Sequence, residues 1–257
     1  MIAALPMYDR PENAAAHDAL WAAIRDAIHA AGHPAPATLN RDIGLLEGGT
    51  APDLILGQAC NLPMRTSLRD RVTYVATFDY GLPDLIPGYY HSLFVTRAGD
   101  ATDLPTYASR RFAYNGDDSH SGWASAQLAA NALGFRFTNT HATGAHRFSA
   151  QAVATGRADI AAIDAISWRA ITRWQPDDAR ALQIIGLTAA TPGQALITRK
   201  GADPAPLRAA LRTALATLAP QHRATLGILG LTQIPLAAHL EIATPPGPEI
   251  LAEPDMA

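Results

Sequence analysis

Residues 114–123 read YNGDDSHSGW, and ASAQLAANALG follows at once. The second stretch has the composition of a helix closing at Gly134, and RFAYN ahead of the segment reads as a strand. The quoted residues therefore form a strand-to-helix turn. The first N–H groups of a helix lack intrahelical partners and carry the positive end of its dipole, so this position attracts anions. Ser119 and Ser121 add hydroxyl donors there, His120 adds a ring nitrogen, and Gly122 lets a ligand approach the backbone closely. A serine N-cap with no ligand explains the same residues, and the motif by itself leaves both readings open.

Working outward, strand and helix patterns alternate on both sides. Residues 2–7 form a short apolar strand. Pro11 then opens a helix with Leu20, Ile24 and Ile28 on one face, Pro near its first turn and Gly32 past its end. PDLILGQAC lacks alternation, as expected of a strand buried on both faces of a parallel sheet, and its end points Gln58, Ala59 and Cys60 toward a crevice. VTYVATFDYG and YYHSLFVTR follow as strands. Beyond the quoted segment, THATGAHRFSAQAVATGRADIAAID reads as turn, helix and strand, SWRAITRW as helix and LQIIGLT as strand. TPGQALITRKG is a strand entered through a Pro-Gly turn. Two helices follow, the first with Leu207, Leu211, Leu215 and Leu218 at helical spacing, the second over residues 220–229, and then an irregular Pro-rich tail from 245. Repeated strand–helix alternation argues for parallel α/β topology.

Two further clusters carry chemistry. Thr143, Gly144, Ala145 and His146 lead into a helix containing Ser149, a second donor-rich helix start that can equally be a capped turn. Polar and aromatic residues also sit at strand ends: Tyr8 with Asp9, Asp79 with Tyr80, Tyr89 with Tyr90, and Asp164. Such positions face the ligand crevice of open α/β sheets. No Gly-Lys-Ser/Thr phosphate loop and no G-x-S-x-G elbow is present, which argues against nucleotide hydrolysis and a serine hydrolase. His141 and His146 fit neither a helical ligand pair nor a zinc-ribbon spacing, so no metal and no cofactor is expected.

Composition narrows the class. Of 257 residues 48% are hydrophobic and 17% charged, the formal net charge is −3, and Cys60 is the single cysteine. That is the composition of a globular chain with a large core, without an intramolecular disulfide. No basic run calls for nucleic acid or an anionic membrane surface, and no apolar run reaches the ~18 residues of a membrane span.

Taken in order, LPMYD, DLILGQAC, SHSGW, TGAHRFSAQAVATGRADIAAID and TPGQALIT resemble the phosphate/phosphite/phosphonate-binding proteins of ABC transporters, over nearly the whole chain from Ile2 to about Leu231. The resemblance implies an α/β, two-lobe periplasmic-binding-protein-like fold of type II, with a ligand cleft between lobes joined by two hinge strands. Lobe 1 would hold residues 1–92 and 195–257, lobe 2 residues 93–194, and the hinge strands residues 91–95 and 192–197. It also implies an oxyanion held by Ser119, Ser121 and His146, with Tyr8, Gln58 and Asp164 at the matching strand-end positions. His120 stands where relatives often carry threonine or another small residue, a departure that bears on the ligand's charge preference. Tyr8, Tyr90 or Trp123 would wall an organic substituent.

The function expected is a solute-binding protein that captures a small oxyanion (phosphonate, phosphite or phosphate-like) for an ABC permease, with no catalytic residues. The location implied is periplasmic. Two alternatives use the same fold: a cytoplasmic enzyme of the small-molecule lyase or pyrimidine-precursor synthase type, for which the missing signal peptide and His91, His120, His141 and His146 speak, and a ligand sensor.

Overall fold

In the computed structural model, which describes residues 1–251, hydrophobic pattern becomes twelve strands: β1 (Ile2–Ala4), β2 (Leu54–Ala59), β3 (Val72–Asp79), β4 (Tyr89–Tyr90), β5 (Ser92–Arg97), β6 (Phe112–Tyr114), β7 (Thr140–Ala142), β8 (Ile160–Asp164), β9 (Leu182–Leu187), β10 (Thr191–Pro192), β11 (Ala195–Arg199) and β12 (Gly230–Thr232). Contacts divide the described residues into a first unit, Met1–Tyr89 with Pro192–Ile242, and a second, Tyr90–Thr191 with residues 243–251. One difference from the expected division concerns the tail. The tail, expected with the first lobe, groups with the second unit, where the Trp123 indole N–H donates to the Pro246 carbonyl at 3.1 Å. Residues 252–257 of that expected tail lie outside the described residues.

The first unit is built on a sheet of order β1-β2-β11-β3-β12. Helix Ala14–Ala30 buries Leu20, Trp21, Ile24 and Ile28, and helix Ala205–Thr217 buries Leu207, Leu211 and Leu215, in one cluster with Leu56, Val75 and Leu196 of the sheet. Each such side chain contributes roughly 1.5–3 kcal/mol by leaving water. Leu54, Met64, Leu68 and Ile197 form a second apolar cluster. Helix Ala14–Ala30 ends as expected: the His33 N–H bonds the Ile28 carbonyl at 3.1 Å and the Gly32 N–H that of His29 at 2.9 Å, the paired bonds of a Schellman stop. Its start differs. Pro11 lies in the preceding turn, and Asn13 at the N-cap turns its amide back to the Tyr8 carbonyl and the Arg10 N–H, closing that loop instead of capping the helix.

The second unit has a sheet of order β7-β6-β8-β5-β9. Neither sheet is fully parallel, a correction to the expected topology. β5 runs antiparallel to β8 and β9, and β11 antiparallel to β2 and β3. The reason is connectivity. The parallel pairs, β1 with β2 and β6 with β7 and β8, are joined through helices within their own unit, whereas β5 and β11 are reached directly from a crossing. The helix expected over 220–229 also stops early, at Leu226, with Gly227 left-handed at φ 68; Leu229 then donates to the Asp79 carbonyl and β12 pairs with β3.

β4 and β10 pair with each other in a two-stranded sheet. Just before β4 and after β10, the Gly193 N–H bonds the Gly88 carbonyl at 2.8 Å, and a Cβ on Gly193 would stand 2.7 Å from that same oxygen. Only glycine fits, because the obstacle is backbone. Gly193→Ala is expected to destabilise the protein by about 1–3 kcal/mol, read as a lower denaturant midpoint at unchanged slope.

Candidate functional site

The serine turn grows from the end of β6. The Ser119 N–H bonds the Gly116 carbonyl at 3.0 Å, and Ser119 takes extended dihedrals as N-cap, its Oγ accepting the Gly122 N–H at 3.0 Å. The first turn, His120–Ala124, is a π-helix, in which Ala124 donates to the carbonyl of Ser119, five residues back, at 3.1 Å; helix Ser125–Ala132 continues it. Such wide turns recur at functional sites. Gly122 serves packing: a Cβ there would meet Asn115 Oδ1 at 1.9 Å, so its missing side chain accommodates Asn115.

The second helix start is fixed to the same strand end. Thr143 donates its N–H to the Tyr114 carbonyl at 2.8 Å and its hydroxyl to the same oxygen at 3.0 Å, and it also meets the Ser149 hydroxyl at 2.7 Å. This brings His146, the first residue of helix His146–Ala154, onto the serine turn. Ser121 Oγ lies 2.8 Å from His146 Nε2 and 3.4 Å from Ser119 Oγ. Ser119 and Ser121 are each 4% exposed. The His146 residue is half-buried, but its Nδ1 is fully buried and meets no partner in hydrogen-bonding geometry. Burial pushes the imidazole down to about 4, opposed in part by the nearby Ala162 carbonyl, so it is neutral at pH 7. Ser119, Ser121 and His146 thus form a cradle of neutral dipoles.

The remaining candidates are placed differently. His120, 1% exposed, directs Nε2 to Thr191 Oγ1 at 3.1 Å and lies against the Tyr90 ring, with centroids 6.3 Å apart. Asp164 caps helix Ala165–Trp174, its Oδ1 accepting the N–H groups of Ile166 at 2.7 Å and Ser167 at 2.9 Å. Trp123, expected to face a ligand, is 1% exposed and packs on Tyr114 and Pro246.

In the first unit, Tyr8 stands edge-on to Tyr80 at 5.1 Å, and its hydroxyl accepts from Gln194 Nε2 at 3.3 Å. Gln58 is buried in β2 opposite Leu196. Asp79 closes the following loop by accepting from Gly81 and Gly88, and Asp9 pairs with Arg41 at 2.7 Å. Gln194 was not singled out by sequence. It is 4% exposed, and its Oε1 is buried with no hydrogen bond. Its place just ahead of a strand, after the Pro-Gly turn, is the signal that could have found it. Among the described residues no three His, Cys, Asp or Glu side chains come together as a metal site, and no helix is long and apolar enough to cross a membrane.

A family model described as ABC transporter, phosphonate, periplasmic substrate-binding protein matches residues 2–239. No curated protein matches the chain by sequence. Among solved structures the chain is similar to a binding-protein component of an ABC phosphonate transporter from Pseudomonas aeruginosa, at 19% identity over 90% of this chain and 80% of that one, with a TM-score of 0.67. It is similar also to PhnD1 from Prochlorococcus marinus in complex with methylphosphonate, at 14% identity over 93% and 94% of the two chains and a TM-score of 0.69. A Xanthomonas citri protein bound to ATP gives 16%, 94%, 96% and 0.69 in the same terms. At these identities the likeness is one of fold, that of the type II periplasmic binding proteins.

The low values of His146 and of His239, which burial also pushes down to about 4, fix a pH response. Between about pH 6.5 and 4 the unfolded chain binds protons at these residues and the folded chain does not, so the stability these two residues contribute falls as pH falls through that window and changes no further below it. Thermal unfolding of a His146→Gln, His239→Phe double variant is expected to depend less steeply on pH there than that of the wild type.

Proposed function

We propose that this chain, which belongs to the family of periplasmic phosphonate-binding substrate-binding proteins of ABC transporters, captures a small oxyanion on the cradle of Ser119, Ser121 and His146 and delivers it unchanged to a permease. The observation that carries the reading is the 2.8 Å contact of Ser121 with His146, which joins two donor-rich helix starts into one site. An oxyanion placed there would accept from hydroxyls, imidazole and first-turn amides, bonds that strengthen when the acceptor is charged. Tyr8 and Gln58 are proposed as the first unit's ligand-contacting side chains, on the strength of their family positions. Asp164 is proposed to act by fixing the end of β8 beside the cradle strand.

A serine hydroxyl 2.8 Å from an imidazole is also the geometry that activates a nucleophile. Two features favour binding over catalysis. A base pushed to about 4 is poorly matched to proton abstraction at pH 7, and Nδ1 has no carboxylate to orient the ring.

Calorimetric titration with phosphate, phosphite, methylphosphonate and aminoethylphosphonate tests the reading. At least one anion is expected to bind and to be recovered unaltered. Ser121→Ala should weaken it by roughly 10- to 100-fold, the worth of a hydrogen bond to a charged group. Failure of all four to bind would overturn the ligand class.

A further inference from the structure

His120 stands between the two cradle serines, yet its side chain leaves them. Sequence neighbours on a helix point in different directions. Ser119 and Ser121 meet each other, while His120 reaches Thr191 Oγ1 with Nε2 and Tyr90 with its ring. Tyr90 ends β4 and Thr191 begins β10. One side chain therefore touches both strands on which the chain passes between units.

The same turn holds the outgoing strand a second time. The Ser92 hydroxyl, two residues past Tyr90, donates to the Ser121 carbonyl at 2.9 Å. The Ser92 N–H donates in turn to Thr188 Oγ1 at 2.9 Å, three residues ahead of Thr191. Outgoing and returning segments are thus bonded to each other and to the serine turn. On the far side of Tyr89 and Pro192 stand Gly88 and Gly193, so each crossing strand has a glycine at one end and a gripped end at the other.

We propose that His120 is a positioning residue that couples occupancy of the serine turn to the ordering of β4 and β10. The occupant rests on the function proposed above; the mechanical link rests on contacts within the second unit. A ligand shifts an ordering equilibrium only through contacts that differ between the two states. A turn bonded to both crossing strands supplies them.

Two variants separate this role from ligand contact. His120→Ala removes the ring, and Thr191→Val is nearly isosteric and removes only its hydroxyl partner. With methylphosphonate and phosphate as probes, both variants are expected to bind and to release the anion about tenfold faster. In the free protein both should raise hydrogen exchange over residues 88–93 and 188–193. If His120→Ala abolishes binding as Ser121→Ala does while Thr191→Val behaves as wild type, His120 is a direct ligand contact and the proposal falls. It falls also if release and exchange are unchanged in both variants. If neither probe binds the wild type, the ligand reading fails instead, and exchange alone decides the link: raised in both variants it stands, unchanged it does not.

Discussion

The contact between Ser121 and His146 is the interaction around which the second unit is organised. Each helix start it joins is separately attached to β6, one by direct continuation through the 115–118 turn and the other by Thr143 on the Tyr114 carbonyl. Strand geometry therefore sets the distance between the two donors before any ligand arrives. On the proposed reading, such pre-organisation lowers the entropy that binding must overcome. Burial also disfavours the charged form of the imidazole held there.

Dipoles rather than charges define the cradle. With His146 neutral at pH 7 and no lysine or arginine among the candidates, an anion on the proposed cradle would be attracted by hydroxyls, ring nitrogen and backbone amides. Such groups attract less at long range than a cation does and depend more on close geometry, so on that reading the capping of Ser119 and the fit of Asn115 over Gly122 would bear directly on recognition.

What could be read in the sequence divides along physical lines. Helices Ala14–Ala30 and Ala205–Thr217 were legible because Leu20, Ile24 and Ile28, and Leu207, Leu211 and Leu215, repeat at helical spacing and are buried as expected. The two donor-rich helix starts were legible because capping chemistry is local. β12 was not, since three residues show no periodicity and its pairing with β3 is decided by tertiary contact. The antiparallel sense of β5 and β11 was hidden for a related reason: a strand's direction in a sheet depends on where the chain comes from, which local pattern does not record. His120 and Trp123 were legible as members of the motif but not in direction, because which neighbour a helical side chain meets depends here on segments 71 and 123 residues away. The partnership of Gln194 with Tyr8 spans 186 residues and leaves no local trace.

The tail bears on how separable the second unit is. Residues 90–191 look like an insertion that could be excised whole, since the chain leaves the first unit once and returns once to form it. Yet the indole of Trp123, inside the serine-turn helix, finds its acceptor on Pro246, beyond the last residue matched by the family model. A fragment cut at the two crossings would keep every cradle residue and lose the group that covers the helix bearing them. Modularity in this chain is therefore a property of contacts and not of contiguous sequence, and residues 243–251 complete a unit whose other residues end some fifty positions earlier.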